Sequence, residues 1–416
     1  KSVSVIVSNV KDNSILAMAT YPNFDLDDPY AFGEDMDEKK WNSLTDQEKT
    51  DYYYGNRWRN IVISNIYEPG SVMKSLITAI ALEEGLINEN TEFTCHGVRK
   101  VADQELKCIS YPDGHGTQTV QDAFINSCNV TYMQISELIG RERLYKYLRK
   151  LHMFEATGID LPNEASPFHV RAKDVGPVEL ATLGYGHAIN INMMNMVAAV
   201  SSLVNGGYYI PPYIATDASK HPLREGALQP ERVFSQQTSD TMKKLMESQT
   251  SHSLIYNKAV RIGGKSGTTV KIVDGEYDDD TIISSYIAFA PMDNPTYCVY
   301  AVIDEPDIEE HGLLTAHKLV KRVFADIFRL YSIDTEVTGR QEILIPDFVG
   351  STLPVAEELA KWNSLEVSTN PAVIDEEDRE SYMVIDQYPA AGTLTKEGSV
   401  IILNVEKKSK NKKGTE

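Results

Sequence analysis

The β-strand patterns constrain the fold most, because they lie at the two ends of a region of roughly 330 residues. Alternating apolar residues at 3–7 and 15–20 flank a polar turn and predict a β-hairpin. Further β-rich runs occupy 260–269, 281–290 and 297–303, and a proline-containing turn typical of antiparallel neighbours joins the last two. We therefore expect one sheet that is assembled from the first and last segments.

Helical periodicity dominates between these strands. Ser71 begins an amphipathic segment that Gly85 ends, and Glu68-Pro69-Gly70 cannot easily be helical, so Ser71 lies at a helix start. Further helical patterns lie at 130–139, 141–151, 178–183, 193–204, 238–246 and 313–330. The acidic stretch 25–51 has little apolar periodicity and predicts a solvated loop. We predict an α+β domain over residues 1–331, with an antiparallel sheet flanked by helices and an inserted helical lobe.

The composition changes after residue 331. A polar stretch at 332–342 predicts a linker. The unit at 343–406 has one helical pattern, at 353–362, and short strands, which predicts a second, small α+β domain. The tail at 407–416 contains five lysines and predicts disorder.

Charge and hydropathy restrict the classes of partner. The chain has 60 acidic and 40 basic residues, a formal charge of −20, so its field repels nucleic acid, and we expect no nucleic-acid partner. No apolar run approaches the roughly 18 residues of a membrane-spanning helix. Because Lys1 directly precedes a strand pattern, we expect the natural N-terminus and any membrane anchor to lie in a preceding segment.

Ser71 and Lys74 form a candidate pair of nucleophile and base, one helical turn apart on the same face. An adjacent base activates a serine, and desolvation can lower the pKa of a lysine enough for it to accept the serine proton near neutral pH. The helix start adds backbone N–H groups that favour an oxyanion. Taken alone, such a pair would usually lie on the surface, since this spacing arises by chance about once in a chain of this length.

Two further motifs offer partner groups. Ser127-Cys128-Asn129 places a hydroxyl and an amide at a predicted helix start, where an N-cap serine is the simpler explanation. Lys265-Ser266-Gly267-Thr268 lies in a β-rich run, where a glycine weakens a strand unless something approaches its backbone closely. A ligand strand would explain this glycine, because the lysine and hydroxyls would bind a carboxylate and a backbone N–H would complete an oxyanion hole.

The three motifs occur together in the order Ser-x-x-Lys, Ser-x-Asn and Lys-Ser-Gly-Thr. In this combination the sequence resembles the class B penicillin-binding proteins, the peptidoglycan D,D-transpeptidases, over residues 1 to about 330. Further segments that carry the resemblance are 15–24, 59–60, 67–71, 157–162, 184–186 and 205–207. The unit from Ile345 to Gly392 resembles a single PASTA module, and one module at this position is similar to the sporulation type of this family in Gram-positive spore formers.

The resemblance implies roles for single residues. Ser71 would be the acylated nucleophile and Lys74 its general base. Ser127 would relay a proton to the leaving amine, and Asn129 would bind the substrate amide. The strand 265–268 would hold the terminal carboxylate of D-Ala-D-Ala, and its last backbone N–H would form the oxyanion hole together with that of the nucleophile.

The resemblance also implies the reaction and its setting. The fold would be that of the penicillin-binding proteins and serine β-lactamases, and the reaction would join peptidoglycan stem peptides through an acyl-enzyme that β-lactams also form. No organic cofactor would be needed. A membrane-embedded glycosyltransferase would be a partner, and the enzyme would be anchored at the extracytoplasmic face of the membrane.

Other readings of the motifs stay open. A D,D-carboxypeptidase or β-lactamase would use water to deacylate the serine, and no base motif for that water is evident. A non-catalytic sensor of wall fragments or β-lactams would be acylated without forming product. Residues 187–195 depart from the usual family pattern, so the rim of the site is unusual, and His187 would be either a structural residue or a substrate contact. A role in division or in sporulation is equally open.

Soft metal ligands crowd the segment between the first two motifs. Thiolate and imidazole are ligands that zinc prefers, and a carboxylate could complete a tetrahedron. We predict a structural zinc ion, with His96 pointing away, held by Cys95, Cys108, His115 and Asp103. A Cys95–Cys108 disulfide and a pair of free thiols are the alternatives.

Overall fold

The fold is taken from a computed structural model, which describes residues 2–33, 36–214, 230–251, 253, 255, 257, 259–273, 276–306, 312–331, 342–370, 376–396 and 398–407. The α-helices are α1 (Glu38–Ser43), α2 (Asp46–Tyr52), α3 (Ile61–Ser64), α4 (Met73–Glu83), α5 (Val120–Ile125), α6 (Asn129–Ile139), α7 (Arg141–Lys150), α8 (Pro177–Leu183), α9 (Met193–Ser201), α10 (Gln236–Ser251), α11 (Gly312–Leu330) and α12 (Leu353–Trp362). The strands are β1 (Ser2–Asn9), β2 (Ile15–Tyr21), β3 (Glu92–Cys95), β4 (Val98–Val101), β5 (Gln104–Lys107), β6 (Gly116–Thr119), β7 (Phe168–His169), β8 (Ile189–Asn190), β9 (Tyr208–Tyr209), β10 (Glu231–Arg232), β11 (Gly263–Val273), β12 (Glu276–Ala290), β13 (Tyr297–Asp304), β14 (Glu342–Leu344), β15 (Glu366–Asn370), β16 (Tyr382–Tyr388), β17 (Leu394–Lys396) and β18 (Val400–Lys407).

A five-stranded antiparallel sheet organises the first compact unit, residues 1–249 and 263–324, in the order β11-β12-β13-β1-β2. β1 pairs with β13 from Ser2↔Asp304 to Asn9↔Tyr297, so the two ends of the unit are neighbours. β12 joins β13 to β11, the edge strand that contains 265–268. The predicted sheet from the first and last segments is confirmed.

The inserted helical lobe is built around helices that are buried on every side. All residues of α4 from Met73 to Ala81 are buried, and so is all of α9. A helix that is buried on all sides lies inside a core, and α4 packs against α6, α7 and α9. The predicted α+β class, with its sheet and helical lobe, is therefore confirmed.

The acidic stretch 25–51 differs from the expectation, because it contains α1 and most of α2. Asp37 caps α1 by accepting a backbone N–H, and Thr45 forms a capping box with Glu48 at α2. Aromatic rings pack around Trp41: Phe32, Tyr52 and Tyr53. The loop prediction is wrong because caps and aromatic contacts stabilise these short helices without a long apolar stripe.

The second compact unit comprises residues 250–262 and 325–416. Its three-stranded sheet has the order β15-β18-β16, in which β15 is parallel and β16 antiparallel to β18. α12 packs against β15 and β16 around an apolar cluster that includes Phe348, Leu353 and Ile401. The predicted helix at 353–362 is confirmed.

Two sequence predictions concern residues that the structure does not describe. Apart from the terminal residues Glu342 and Lys407, the predicted linker at 332–342 and the predicted tail at 407–416 lie outside the described residues. Within the described part of the chain, no helix has both the length and the apolar character needed to cross a bilayer.

Candidate active site

Ser71 lies in a single 3-10 turn, Gly70–Val72, that leads directly into α4. The α-helix itself begins at Met73, so the predicted helix start lies at this turn. Ser71 is half-buried, whereas Lys74, three residues later, has no exposed surface. Ser71 is therefore accessible just before the N-terminus of α4, whereas Lys74 within that helix is shielded from water.

β11 packs tightly on this turn. A Cβ atom on Gly70, which has a φ of +56°, would lie 2.1 Å from Thr269 Oγ1. A Cβ atom on Gly267 would lie 3.0 Å from Val72 Cγ2. The close contact with Val72 therefore explains why the third motif contains a glycine. The same contact places strand 265–268 beside Ser71.

Ser127 adopts a φ of +52°, in the left-handed region that is uncommon for residues other than glycine. The N-cap of α6 is Cys128, whose Sγ accepts a hydrogen bond from the backbone N–H of Thr131. The interpretation of Ser127 as an N-cap is therefore wrong. Because its neighbour caps the helix, the Ser127 hydroxyl is available to other groups.

Lys74 and Lys265 converge on that hydroxyl, and the Nζ atom of each lies 3.1 Å from Ser127 Oγ. Lys74 also donates to the Ser127 carbonyl at 2.5 Å and to Asn129 Oδ1 at 2.7 Å. Lys265 also donates to the Ser266 carbonyl at 3.3 Å. Three motifs that are far apart in the sequence therefore meet around one hydroxyl.

Both lysines are fully buried, which disfavours the ammonium form. Burial lowers the pKa of Lys74 well below its usual value, and the nearby charge of Lys265 lowers it further. Burial lowers the pKa of Lys265 to about 7. Desolvation thus favours the neutral amine of Lys74, the form that can accept a proton, and it weakens the hold of Lys265 on its own proton.

The remaining residues of the third motif lie on the same strand. Ser266 and Thr268 are half-buried and share one face of β11, and Gly267 between them is buried. All residues assigned from the three motifs are therefore grouped around the Ser71 turn. Their individual roles remain predictions.

Thiols and an imidazole cluster next to this site, and each of the following residues places one ligand atom within 4.8 Å of the others: Cys95, Cys108, His115 and Cys128. Cys108 Sγ lies 3.7 Å from Cys128 Sγ and 3.6 Å from His115 Nδ1. The hydrogen bond between the two thiols lowers the pKa of Cys108 and raises that of Cys128. All four cysteines of the chain are free thiols in this structure.

Asp103 does not belong to this cluster, which corrects the predicted ligand set. It is exposed in the turn of the β4–β5 hairpin, and Cys128 takes the fourth place instead. The sequence did indicate Cys128, because it is a third cysteine near the other two and lies within the Ser127-Cys128-Asn129 motif. The surrounding segment also contains paired strands, with Cys95 opposite Gly116, rather than only loops.

His187 lies at the rim of the site and contacts two residues that the sequence reasoning did not single out. Its side chain is mostly buried and lies within hydrogen-bonding distance of Glu68 and Tyr277. The position of Glu68, three residues before Ser71, was the available signal. Tyr277 lies 90 residues from His187 in the chain, so no sequence pattern indicated their contact.

Comparisons with known proteins agree with this architecture. Residues 3–328 match the model of the penicillin binding protein transpeptidase domain, and residues 343–407 match that of the PASTA domain. The chain is 32% identical over 415 residues to stage V sporulation protein D of Bacillus subtilis strain 168, which covers 95% of this chain and 59% of that protein. It is 26% identical over 368 residues to a peptidoglycan D,D-transpeptidase FtsI homolog of Mesostigma viride, which covers 81% of this chain and 58% of that protein. The chain thus spans less than two thirds of either relative.

Solved structures show the same fold. The transpeptidase domain of Burkholderia pseudomallei penicillin-binding protein 3 has a TM-score of 0.65 at 22% identity, over 81% of this chain and 90% of that one. A peptidoglycan synthetase of Bifidobacterium adolescentis has a TM-score of 0.66 at 23% identity, over 82% of this chain and 58% of that one. With the family matches over most of its length, the chain belongs to the penicillin-binding protein transpeptidase family and carries a PASTA domain after its transpeptidase domain.

Proposed function

We propose that this chain is a serine D,D-transpeptidase that cross-links peptidoglycan stem peptides through an acyl-enzyme on Ser71 and is inhibited by β-lactams. One observation carries the proposal: two buried lysines lie 3.1 Å from the same hydroxyl, that of Ser127, beside the Ser71 turn. The names of the relatives and the family match support the same reaction.

Acylation would begin with Lys74 as the base. A neutral amine has two N–H donors, which suffice for the Ser127 carbonyl and Asn129 Oδ1, and its lone pair can take the Ser71 proton. Ser71 Oγ would then form a bond to the carbonyl carbon of the penultimate D-Ala. The resulting oxyanion would accept hydrogen bonds from the backbone N–H groups of Ser71 and Thr268.

Collapse of this intermediate would break the peptide bond. Ser127 would pass a proton to the departing amine of the terminal D-Ala, and Lys74 would resupply it, so the protons balance. Protonated Lys265, with the hydroxyls of Ser266 and Thr268, would hold the terminal carboxylate. An amine of a neighbouring stem peptide would then attack the acyl-enzyme carbonyl and lose a proton to neutral Lys74. Lys74 would pass that proton to the Ser71 oxygen as the ester bond breaks, which releases Ser71 and leaves the new amide cross-link.

The intact mass of the protein after incubation with a penicillin tests the nucleophile. Wild-type protein should gain one β-lactam adduct, and Ser71→Ala should gain none while remaining folded, because the Ser71 side chain caps neither the 3-10 turn nor α4. Ser75→Ala is the matched control, since Ser75 is a buried serine on the same helix whose hydroxyl has no partner among the described residues. An adduct on another serine in Ser71→Ala would refute the assignment.

A thioester mimic of D-Ala-D-Ala, with and without an acceptor amine, separates the candidate reactions. A transpeptidase forms the amide product when the amine is present. A D,D-carboxypeptidase or β-lactamase releases only the acid, whichever amine is added. A sensor stays acylated and releases neither.

We also propose the setting of the reaction. Stem peptides of peptidoglycan lie outside the membrane, so the site would face the extracytoplasmic side, with a membrane-embedded glycosyltransferase supplying glycan strands. The sporulation protein among the relatives supports the spore wall as the substrate source. Crosslinking in cells that form spores, followed by mass spectrometry, would identify the glycosyltransferase.

We further propose a structural zinc ion held by the four-residue cluster of Cys95, Cys108, His115 and Cys128. A tetrahedral zinc with Zn–S bonds of about 2.3 Å and Zn–N bonds of about 2.0–2.1 Å places neighbouring sulfurs about 3.8 Å apart and sulfur and nitrogen about 3.6 Å apart. The separations of 3.7 Å and 3.6 Å around Cys108 support this geometry. The ion would fix Cys128, and with it the two motif residues on either side.

A further inference from the structure

The loop before the nucleophile depends on a second loop for its position. Tyr67 and Ile191 exchange both backbone hydrogen bonds, each at 3.0 Å. Gly70 N donates to Gly186 O at 3.2 Å, and a Cβ atom on Gly186 would lie 2.0 Å from Gly70 O. Residues 67–70 therefore lie in direct backbone contact with 186–191, and at Gly186 there is no space for a side chain.

Three side chains reinforce this contact. Glu68 Oε1 accepts the backbone N–H of Ala188 at 2.8 Å, and Glu68 Oε2 lies 3.1 Å from His187 Nδ1. Tyr277 Oη lies 2.9 Å from the same Nδ1 atom, and it also lies 3.3 and 3.4 Å from the two carboxylate oxygens. Each member of the trio of Glu68, His187 and Tyr277 thus contacts both others.

The burial of these groups indicates that the cluster is specifically arranged. Glu68 is only 9% exposed, and a buried carboxylate is costly unless donors surround it. Burial raises the pKa of Glu68 and lowers that of His187, so both groups depend on these hydrogen bonds rather than on water. Tyr277, by contrast, is 51% exposed. Its ring lies against that of His187, with the two ring centroids 5.1 Å apart.

Tyr277 connects the cluster to the strand of the third motif. It lies near the start of β12, opposite Ile272 of β11, at the turn end of the hairpin that these strands form. We propose that Glu68, His187 and Tyr277 form a latch that holds the β11–β12 hairpin on the loop before Ser71, and that all three are positioning residues for acylation. This inference rests on the proposed function.

The latch acts on the chemical step because it joins the two elements that carry the oxyanion donors. One donor is the backbone N–H of Ser71, and the other is that of Thr268 on β11. Donors aimed at a developing charge are effective only when their positions are fixed in advance, and displacements of about 1 Å can slow a reaction by two orders of magnitude. Loosening the latch should therefore slow acylation more than it weakens initial binding.

The test measures both quantities with a fluorescent penicillin, as the dissociation constant of the first complex and the rate constant of acylation. Tyr277→Phe and His187→Ala should each acylate about tenfold more slowly, the effect of losing one hydrogen bond to a charged group, with the dissociation constant changed by less than about twofold. His187→Asn, which places an amide near the position of Nδ1, should recover most of the rate. The matched control is Tyr145→Phe, which removes a hydroxyl bonded to the Val170 carbonyl outside the latch and should leave the rate unchanged.

The double variant Tyr277→Phe/Glu68→Gln should be little slower than the slower single variant, because the two residues act as one unit. Three outcomes would each overturn the latch. They are wild-type acylation rates in both Tyr277→Phe and His187→Ala, effects on the dissociation constant alone, and fully additive effects on the acylation rate in the double variant. If His187→Ala does not fold, Tyr277→Phe decides, since its side chain is half exposed. Wild-type protein without an adduct on Ser71 would instead refute the proposed function, and intact mass identifies that case.

Discussion

At the scale of single residues, Ser127 combines a strained backbone with the central hydroxyl of the site. A φ of +52° costs a residue with a Cβ atom roughly 1–2 kcal/mol relative to glycine. We expect Ser127→Gly to be about 1 kcal/mol more stable than Ser127→Ala, since only the glycine relieves the strain. Both variants should lose acylation equally, because both lack the hydroxyl.

Thermal unfolding and penicillin labelling of the two variants test this prediction. Equal stability would mean that the left-handed conformation is not retained in solution. Unequal acylation would mean that the backbone conformation, rather than the hydroxyl, limits the reaction.

Lys265 makes stability depend on pH. Its pKa is about 7 in the folded chain and 10.5 as the ordinary value, so the unfolded chain binds more protons between these two pH values. Its contribution to the free energy of unfolding therefore rises with pH across that window. Lys265→Met, which keeps an unbranched side chain without the charge, should be more stable than wild type near pH 7, and this advantage should shrink toward pH 10.

Denaturant unfolding of wild type and Lys265→Met from pH 6 to pH 10 measures the difference. Parallel stability curves would show that Lys265 has an ordinary pKa in the folded protein. The difference between the two proteins is the relevant quantity, because other groups add to the pH dependence. Burial raises the pKa of residues such as Tyr132 and Cys298 in the folded chain, so they ionise only in the unfolded chain toward the upper end of this range.

The sequence was informative about which residues carry chemistry and less informative about their conformations. Ser71 and Lys74 were predictable, because helical spacing alone puts them on one face. The left-handed Ser127 was not, because a serine before a helix is usually its N-cap, and only the structure reveals that Cys128 takes this role. Long-range contacts such as that of Tyr277 with His187 leave no local pattern.

At the scale of elements, the cysteine cluster connects a small β-region to α6. β3 supplies Cys95, and Cys128 is the N-cap of α6, so a metal would hold the start of that helix. Removing zinc with a chelator should lower the melting temperature and slow β-lactam acylation, and adding zinc should restore both.

Metal analysis and matched variants check this prediction. Cys128→Ser should lose the metal, since a hydroxyl is a poor zinc ligand. Asp103→Ala is the control and should retain it, because Asp103 is exposed outside the cluster. Well under one zinc per chain in protein purified without chelator, or a mass two hydrogens lighter that reverts with reductant, would contradict a zinc site.

Element types followed from the sequence where periodicity was long. The amphipathic pattern at 313–330 matches α11, and the patterns at 281–290 and 297–303 match the antiparallel pair β12 and β13. The helices within 25–51 did not follow, because single capping groups and rings on neighbouring segments stabilise them. The fourth residue of the cysteine cluster was equally hard to predict. Asp103 lies in the turn of the β4–β5 hairpin, outside that cluster.

At the scale of the whole molecule, the proposed catalytic residues all lie in the first compact unit. We expect a chain that ends at Tyr331 to fold and to be acylated at the wild-type rate, because it retains every strand of the main sheet. Acylation kinetics of the truncated and full chains measure this. A truncated chain with the wild-type melting temperature but slowed acylation would show that the PASTA domain acts on the site.

The order of strands in the main sheet also has a consequence for biosynthesis. β1 pairs with β2 within 21 residues, but its other edge stays open until β13 has been made, since Ser2 pairs with Asp304. An edge strand with unpaired N–H and C=O groups invites pairing with another nascent chain. Contacts this distant in sequence also form slowly. Chains that stall before β13 should therefore aggregate, and the emerging hairpin is the segment that a chaperone would need to shield.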